Sequence, residues 1–249
     1  MNKTEINKPG LSPLPLEGGG GRLLYEDNHI IAVNKSSSEI VQGDKTGDQP
    51  LSETIKAYIK EKYNKPGEVF LGVTHRLDRP VSGVVLFAKT SKSLTRLNEM
   101  FRNQEVKKTY WAIVQNRPKE TEGRLEHYLV RNEKQNKSFP YPNERKDAKK
   151  AILTYKLIAT SDRYYLLEIQ LETGRHHQIR CQLAAMGCPI KGDLKYGFAR
   201  SNPNAGIILH ARSVSFIHPV SKEQIQITAP VPQDDKLWKS FEEMAKGVN

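Results

Sequence analysis

The sequence predicts an α+β fold: a mixed, largely antiparallel central sheet flanked by a few helices. Three observations carry that prediction. Most apolar runs are short and either alternating or rich in β-branched and aromatic residues, the texture of half-buried strands. Only a few segments place apolar residues on a helical stripe. No self-similarity at solenoid or propeller periods occurs, so the elements belong to a single layered unit.

Taken in order, residues 8–21 hold three prolines and the run Gly18-Gly19-Gly20-Gly21. That composition loses much backbone entropy on ordering and offers little to pack, so residues 1–21 are expected to form a flexible leader. Leu23-Leu24-Tyr25 and Ile30-Ile31-Ala32-Val33 then flank a polar turn, giving two strands that open the folded unit. Asp48 is a candidate cap for a helix with Pro50 in its first turn, and Leu51, Ile55, Tyr58 and Ile59 share its inner face. Lys65-Pro66-Gly67 ends it.

The apolar runs Val69 to Val73 and Val84 to Ala88 read as buried strands, which makes Thr74 to Gly83 the loop between them. A second helix begins at Ser91, with Leu94, Leu97 and Phe101 inward and Lys92, Arg96 and Arg102 outward. Strands are expected at Thr109 to Val114, Ala151 to Ala159, Tyr164 to Leu171, Ile207 to Phe216 and Gln224 to Thr228. The highly charged stretch Glu133 to Lys150 is expected to be a surface excursion. Thr173 is the expected N-cap of a third helix running from Arg175 to Met186, closed by Gly187. The elements assign residues 22–240 to one domain and residues 241–249 to a C-terminal tail.

Composition bounds the function. Lysine and arginine total 39 against 28 acidic residues, a formal charge of +11, which favours an anionic partner. The two cysteines, Cys181 and Cys188, can build neither a disulfide framework nor a four-ligand zinc site, and they fit small core residues in a reducing cytoplasm. The N-terminus lacks an apolar signal region, and no stretch approaches the ~20 apolar residues of a membrane span. A cytoplasmic protein without membrane association is therefore expected.

The loop Thr74-His75-Arg76-Leu77-Asp78-Arg79-Pro80 sets one carboxylate between two guanidiniums, ahead of Ser82-Gly83 and a strand entering the core. Nearby positive charge favours the ionised carboxylate, and Pro80 holds Arg79 away from helical geometry. Read alone, the loop fits a solvated turn whose Asp pairs with its neighbours better than a reactive site.

The wider sequence decides between them. The segment from Thr74 to Thr90, THRLDRPVSGVVLFAKT, resembles the signature of RluA-type pseudouridine synthases. Lys108-Thr109-Tyr110-Trp111-Ala112-Ile113-Val114 is similar to the family's second motif. Gly174-Arg175-His176-His177-Gln178-Ile179-Arg180 with Pro189-Ile190-Lys191-Gly192-Asp193 resembles the third, and Leu209-His210-Ala211 a fourth. The motifs occur in the family's order and extend from about Arg22 to about Pro230. Val81 and His176 depart from it, each standing where the family commonly has threonine.

The resemblance implies a pseudouridine synthase catalytic domain over residues 22–240, of the short form without a preceding small RNA-binding domain. It makes Asp78 the nucleophile, Tyr110 the aromatic packed on the target base and Arg180 the partner of the Asp78 carboxylate. Leu209 would line the base pocket, and Arg76 would fill the space a flipped uridine leaves. Arg79, Lys107 and Arg175 are candidate RNA contacts and His177 a further binding residue, since cations and helix N-termini suit phosphates. The implied partner is a stem-loop of ribosomal or transfer RNA, and neither a cofactor, a metal nor an obligatory protein partner is implied. A non-catalytic RNA-binding protein would explain the charge equally well, but not the pairing of Asp78 with Arg180. A glycosidase would need two carboxylates across a sugar, and the motifs supply one.

Overall fold

A computed structural model describes residues 22–247; the expected leader over 1–21 lies outside them. The chain runs β1 (Leu23–Glu26), β2 (Ile30–Lys35), α1 (Leu51–Lys62), β3 (Gly72–Val73), β4 (Ser82–Ala88) and α2 (Ser91–Arg102). It continues with β5 (Lys107–Val114), β6 (Glu122–Asn132), β7 (Lys137–Tyr141), β8 (Lys149–Thr160) and β9 (Tyr165–Leu171). Last come α3 (Gln178–Ala185), β10 (Leu209–Ile217), β11 (Gln224–Thr228) and α4 (Lys236–Lys246).

The strands join one 11-stranded sheet in the order β1-β2-β4-β10-β5-β9-β8-β6-β7, with β3 beside β4 and β11 beside β10. Strands β4 and β10 pair in parallel, matching Ser82 with His210 and Gly83 with Ala211; every other pairing among the described residues is antiparallel. A mixed, largely antiparallel sheet with flanking helices is thus the observed fold. The parallel junction needs glycine. Gly83 has φ +118°, and a Cβ there would lie 2.3 Å from the Ala211 carbonyl oxygen.

Period-two alternation divides the core. Tyr110, Ala112 and Val114 of β5 face the main cluster, which includes Ile55 of α1, Leu97 of α2 and Ile179 of α3. Trp111 and Ile113 face the other side, where Trp238 and Phe241 of α4 cover the sheet. Among the described residues no helix is long and apolar enough to cross a membrane.

Several boundaries differ from expectation, each for a local reason. Helix α1 starts after Pro50, not at an Asp48 cap, because the Asp48 carboxylate accepts from Arg79 instead. Of the run Val69 to Val73, only Gly72–Val73 pairs as a strand. The charged stretch 133–150 is not a bare excursion: β6 and β7 form a hairpin through it, alongside β8, with the charges on the solvent side. Thr173 does not cap α3. Its hydroxyl accepts from the Ile152 amide and donates to Gln178 Oε1, and the helix begins only at Gln178, because His177 takes a left-handed conformation, φ 52°. The expected tail from residue 241 is helical to Lys246: the Asp235 carboxylate caps α4, and Phe241 is fully buried beside Trp238.

Candidate active site

The loop leading into β4 is held chiefly by its backbone. Lys35, at the end of β2, is buried, and its ammonium donates to the carbonyls of Ser36, Arg79 and Val81 at 2.9, 3.1 and 2.6 Å. Burial pushes its pKa down to about 8. The Ile207 amide takes the Pro80 carbonyl at 3.0 Å, and the Val81 amide closes a turn on the Asp78 carbonyl at 3.0 Å. Upstream, His75 Nε2 accepts the Leu86 amide at 3.1 Å, and burial lowers the pKa of this ring to about 3. The loop is therefore rigid where Asp78 leaves it.

Asp78 faces α3. Arg180 Nη1 donates to Asp78 Oδ2 at 3.0 Å, while Nε and Nη2 of the same guanidinium hold both oxygens of Asp193 at 2.7 and 2.9 Å. Arg180 and Asp193 are buried, whereas the Asp78 side chain keeps 30% of its surface open to the cleft. Burial alone would weaken the guanidinium's hold on its proton, but the two carboxylates raise its pKa further. One fork thus links an inner, bidentate carboxylate to an outer, reachable one.

His177 closes the other side, with Nε2 at 3.4 Å from Asp78 Oδ2 and Nδ1 at 3.0 Å from the Tyr196 hydroxyl. Burial, then the charge of Arg180 and the neighbouring His176, lowers its pKa to about 2, so the ring is neutral. The hydrogen-bond network assigns the remaining proton: Nε2–H points at Asp78, and Nδ1 accepts from Tyr196, whose oxygen accepts the Ser138 amide at 2.8 Å.

The resulting cleft is lined by Arg76, Asp78, Tyr110, Arg175, Arg180 and Leu209, among others. Register explains the company: Tyr110 lies opposite Ala211 and Leu209 opposite Ala112, so both project next to the loop that enters at Gly83. Burial and the Asp78 charge raise the Tyr110 pKa, so its ring is neutral. Outside the cleft a wider groove carries Arg76, Arg102, Lys108, Arg131 and Arg175.

Seven of the residues expected from sequence therefore meet at one place: Asp78, Tyr110, Arg180, Arg76, Arg175, His177 and Leu209. Two do not. Arg79 turns to Thr46 and Asp48 at 2.8 and 2.5 Å, and Lys107 is exposed at the start of β5. Sequence reasoning missed Lys35, Lys108, Asp193 and Tyr196. For Lys108 the signal was present, because alternation puts it on the Tyr110 side of β5. For Lys35 it was a charge ending an otherwise buried strand. Asp193 stands in the motif already quoted, where nothing local distinguished it.

The chain is similar to known proteins of one family. Residues 29–185 match the family model described as RNA pseudouridylate synthase. The chain is 33% identical over 240 residues to tRNA pseudouridine synthase C of Vibrio vulnificus (strain CMCP6), covering 88% of this chain and 93% of that one. It is 29% identical over 234 residues to ribosomal large subunit pseudouridine synthase D of Zymomonas mobilis subsp. mobilis (strain ATCC 31821 / ZM4 / CP4), covering 90% of this chain and 72% of the relative. The fold is similar to that of human RNA pseudouridylate synthase domain containing 4, with a TM-score of 0.72 at 22% identity, over 90% of this chain and 92% of the other.

Proposed function

Because the chain belongs to the RNA pseudouridylate synthase family, we propose that Asp78 is the nucleophile that isomerises a flipped-out uridine in a structured transfer or ribosomal RNA. One observation carries the assignment: Asp78 is the only carboxylate among the described residues lining the cleft, and it is aimed by Arg180. A lone carboxylate suits covalent catalysis on one sugar-base unit and does not suit hydrolysis by a carboxylate pair.

In this reading the uridine leaves its stack, and Arg76, exposed on the cleft rim, takes its place. The base lies against the Tyr110 ring, with Leu209 as the apolar wall. The Asp78 carboxylate forms a covalent adduct while the N1–C1′ bond breaks. The uracil turns, a C5–C1′ bond forms, the bond to Asp78 breaks and frees its carboxylate, the proton on C5 departs to solvent and N1 gains one. Atoms balance, so no co-reactant is required. Arg102, Lys108, Arg131 and Arg175, which line the groove, would meet backbone phosphates, which position the RNA without reading its sequence.

Loss of the C5 hydrogen gives the test. Bulk RNA carrying tritium at uridine C5 releases label with the native chain, and Asp78→Asn is expected to release none while its RNA affinity stays within about 2-fold, since no phosphate contact is touched. Undiminished release by Asp78→Asn would overturn the assignment. Affinity retained with release lost separates the enzyme from a protein that only binds RNA.

A further inference from the structure

His176 has no part in the chemistry above. It sits half-exposed in the turn before α3 and lines the basic groove together with Arg131 and Arg175. Its ring lies flat on His177, with centroids 3.8 Å apart and planes 20° from parallel. Both ring nitrogens engage the β6–β7 hairpin: Nδ1 is 2.9 Å from Ser138 Oγ and Nε2 is 3.1 Å from Asn136 Oδ1. The Ser138 hydroxyl directs its single proton to the His176 carbonyl at 2.7 Å, so toward the ring it is an acceptor. The amide oxygen of Asn136 is an acceptor as well. A neutral imidazole has one N–H and can serve only one of the two; an imidazolium serves both.

The cradle therefore suits the charged ring, while the surroundings oppose it. Burial acts first against the proton, and Arg131 of β6, Arg180 of α3 and Lys195 in the turn Leu194–Tyr196 add to it; Asp78 acts the other way. Lys137 of β7 is turned onto the Phe139 and Tyr196 rings, and the stacked His177 is neutral. On the groove side Arg76, Arg102, Lys108, Arg131 and Arg175 outnumber the carboxylates Asp78 and Glu172, so anionic charge to favour the proton is in short supply. An RNA phosphate brings that charge.

We propose that His176 is a conditional cation of the groove, which takes up a proton as the RNA backbone arrives and so adds to affinity as pH falls. The proposal rests on the reading that this groove holds RNA. Proton uptake on binding and tighter binding at lower pH are the same coupling seen from two sides.

The test measures the dissociation constant of the full chain for unfractionated transfer RNA between about pH 8 and about pH 6 at constant ionic strength, a range that spans histidine titration. His176→Thr and His176→Gln are run beside it; glutamine keeps hydrogen bonding without a titrating charge. The native chain is expected to gain roughly 3- to 10-fold more affinity over that range than either variant, within the ~100-fold that one proton taken up across two pH units allows. Ring NMR of His176 should also show its titration midpoint rising when the RNA is added. Parallel pH profiles in all three proteins overturn the inference and leave the RNA reading intact. Absence of binding at every pH overturns both.

Discussion

At the scale of single residues, Arg180 commits two donors to Asp193 and presents a third to Asp78. The inner carboxylate fixes the plane of the guanidinium, and that plane fixes where the outer carboxylate points. Asp193 is thereby a positioning residue with no contact to the cleft. Asp193→Asn is expected to lower the single-turnover rate by about 30-fold or more, in line with ~2 kcal/mol for a hydrogen bond between charged groups. RNA affinity should change by less than about 2-fold, because no phosphate contact is touched. Its folding stability, read by urea titration, should drop by about 3 kcal/mol, since Arg180 is left partly uncompensated in a buried site. A variant that lost affinity and rate together would contradict the positioning role.

At the scale of elements, β5 shows what the sequence made legible and what it did not. The alternation around Trp111 is plain in the residues, and the structure follows it, with Tyr110 on the cleft side and Trp111 on the α4 side. The same alternation sends Lys108 into the groove and leaves Lys107 outside. Lys108→Ala is expected to weaken RNA binding roughly 3- to 10-fold and to reduce its salt slope by about one, whereas Lys107→Ala should leave both nearly unchanged. Equal effects from the two would refute the alternation argument. Burial lowers the Lys108 pKa, which fits a cation waiting for a counter-charge.

Other elements resisted reading because tertiary partners define them. The β6–β7 hairpin carries lysine, arginine and glutamate on its open side, so its alternation is masked until β8 supplies the register. Helix α3 has an apolar stripe that can be extended back to Arg175. The chain instead sets His177 in a left-handed turn, where its ring reaches Asp78. Helix α4 was legible in principle, since Asp235 precedes Trp238 and Phe241 at cap and stripe spacing. The loop of Asp78 could be recognised only in company with the distant strand and helix that complete the cleft.

At the scale of the whole molecule, the buried neutral histidines tie stability to pH. Burial foremost lowers the pKa of His177 to about 2 and of His210 to about 4; His210 lies between Ser82 and the Ala229 carbonyl. In the unfolded chain both rings titrate near the ordinary value of about 6.5. Below that value the unfolded state binds protons that the folded state refuses, so stability is lost as pH falls. Each ring contributes up to about 1.4 kcal/mol per pH unit until its folded pKa is reached. The urea midpoint should therefore fall steadily from about pH 6.5 to about pH 4. A flat midpoint across that window would show that these rings are protonated in the folded protein.

The same whole-molecule view gives the anchored loop a further meaning. Lys35, Ile207 and Ser38 grip the carbonyls of residues 79–81 and leave the side chains there unrestrained by those bonds. Every amino acid has a carbonyl, so such a grip tolerates sequence drift. On the proposed function, mutation can thus reshape the rim that meets the RNA while the Asp78 carboxylate stays in register, and target choice and chemistry can be inherited, altered or engineered as separate traits.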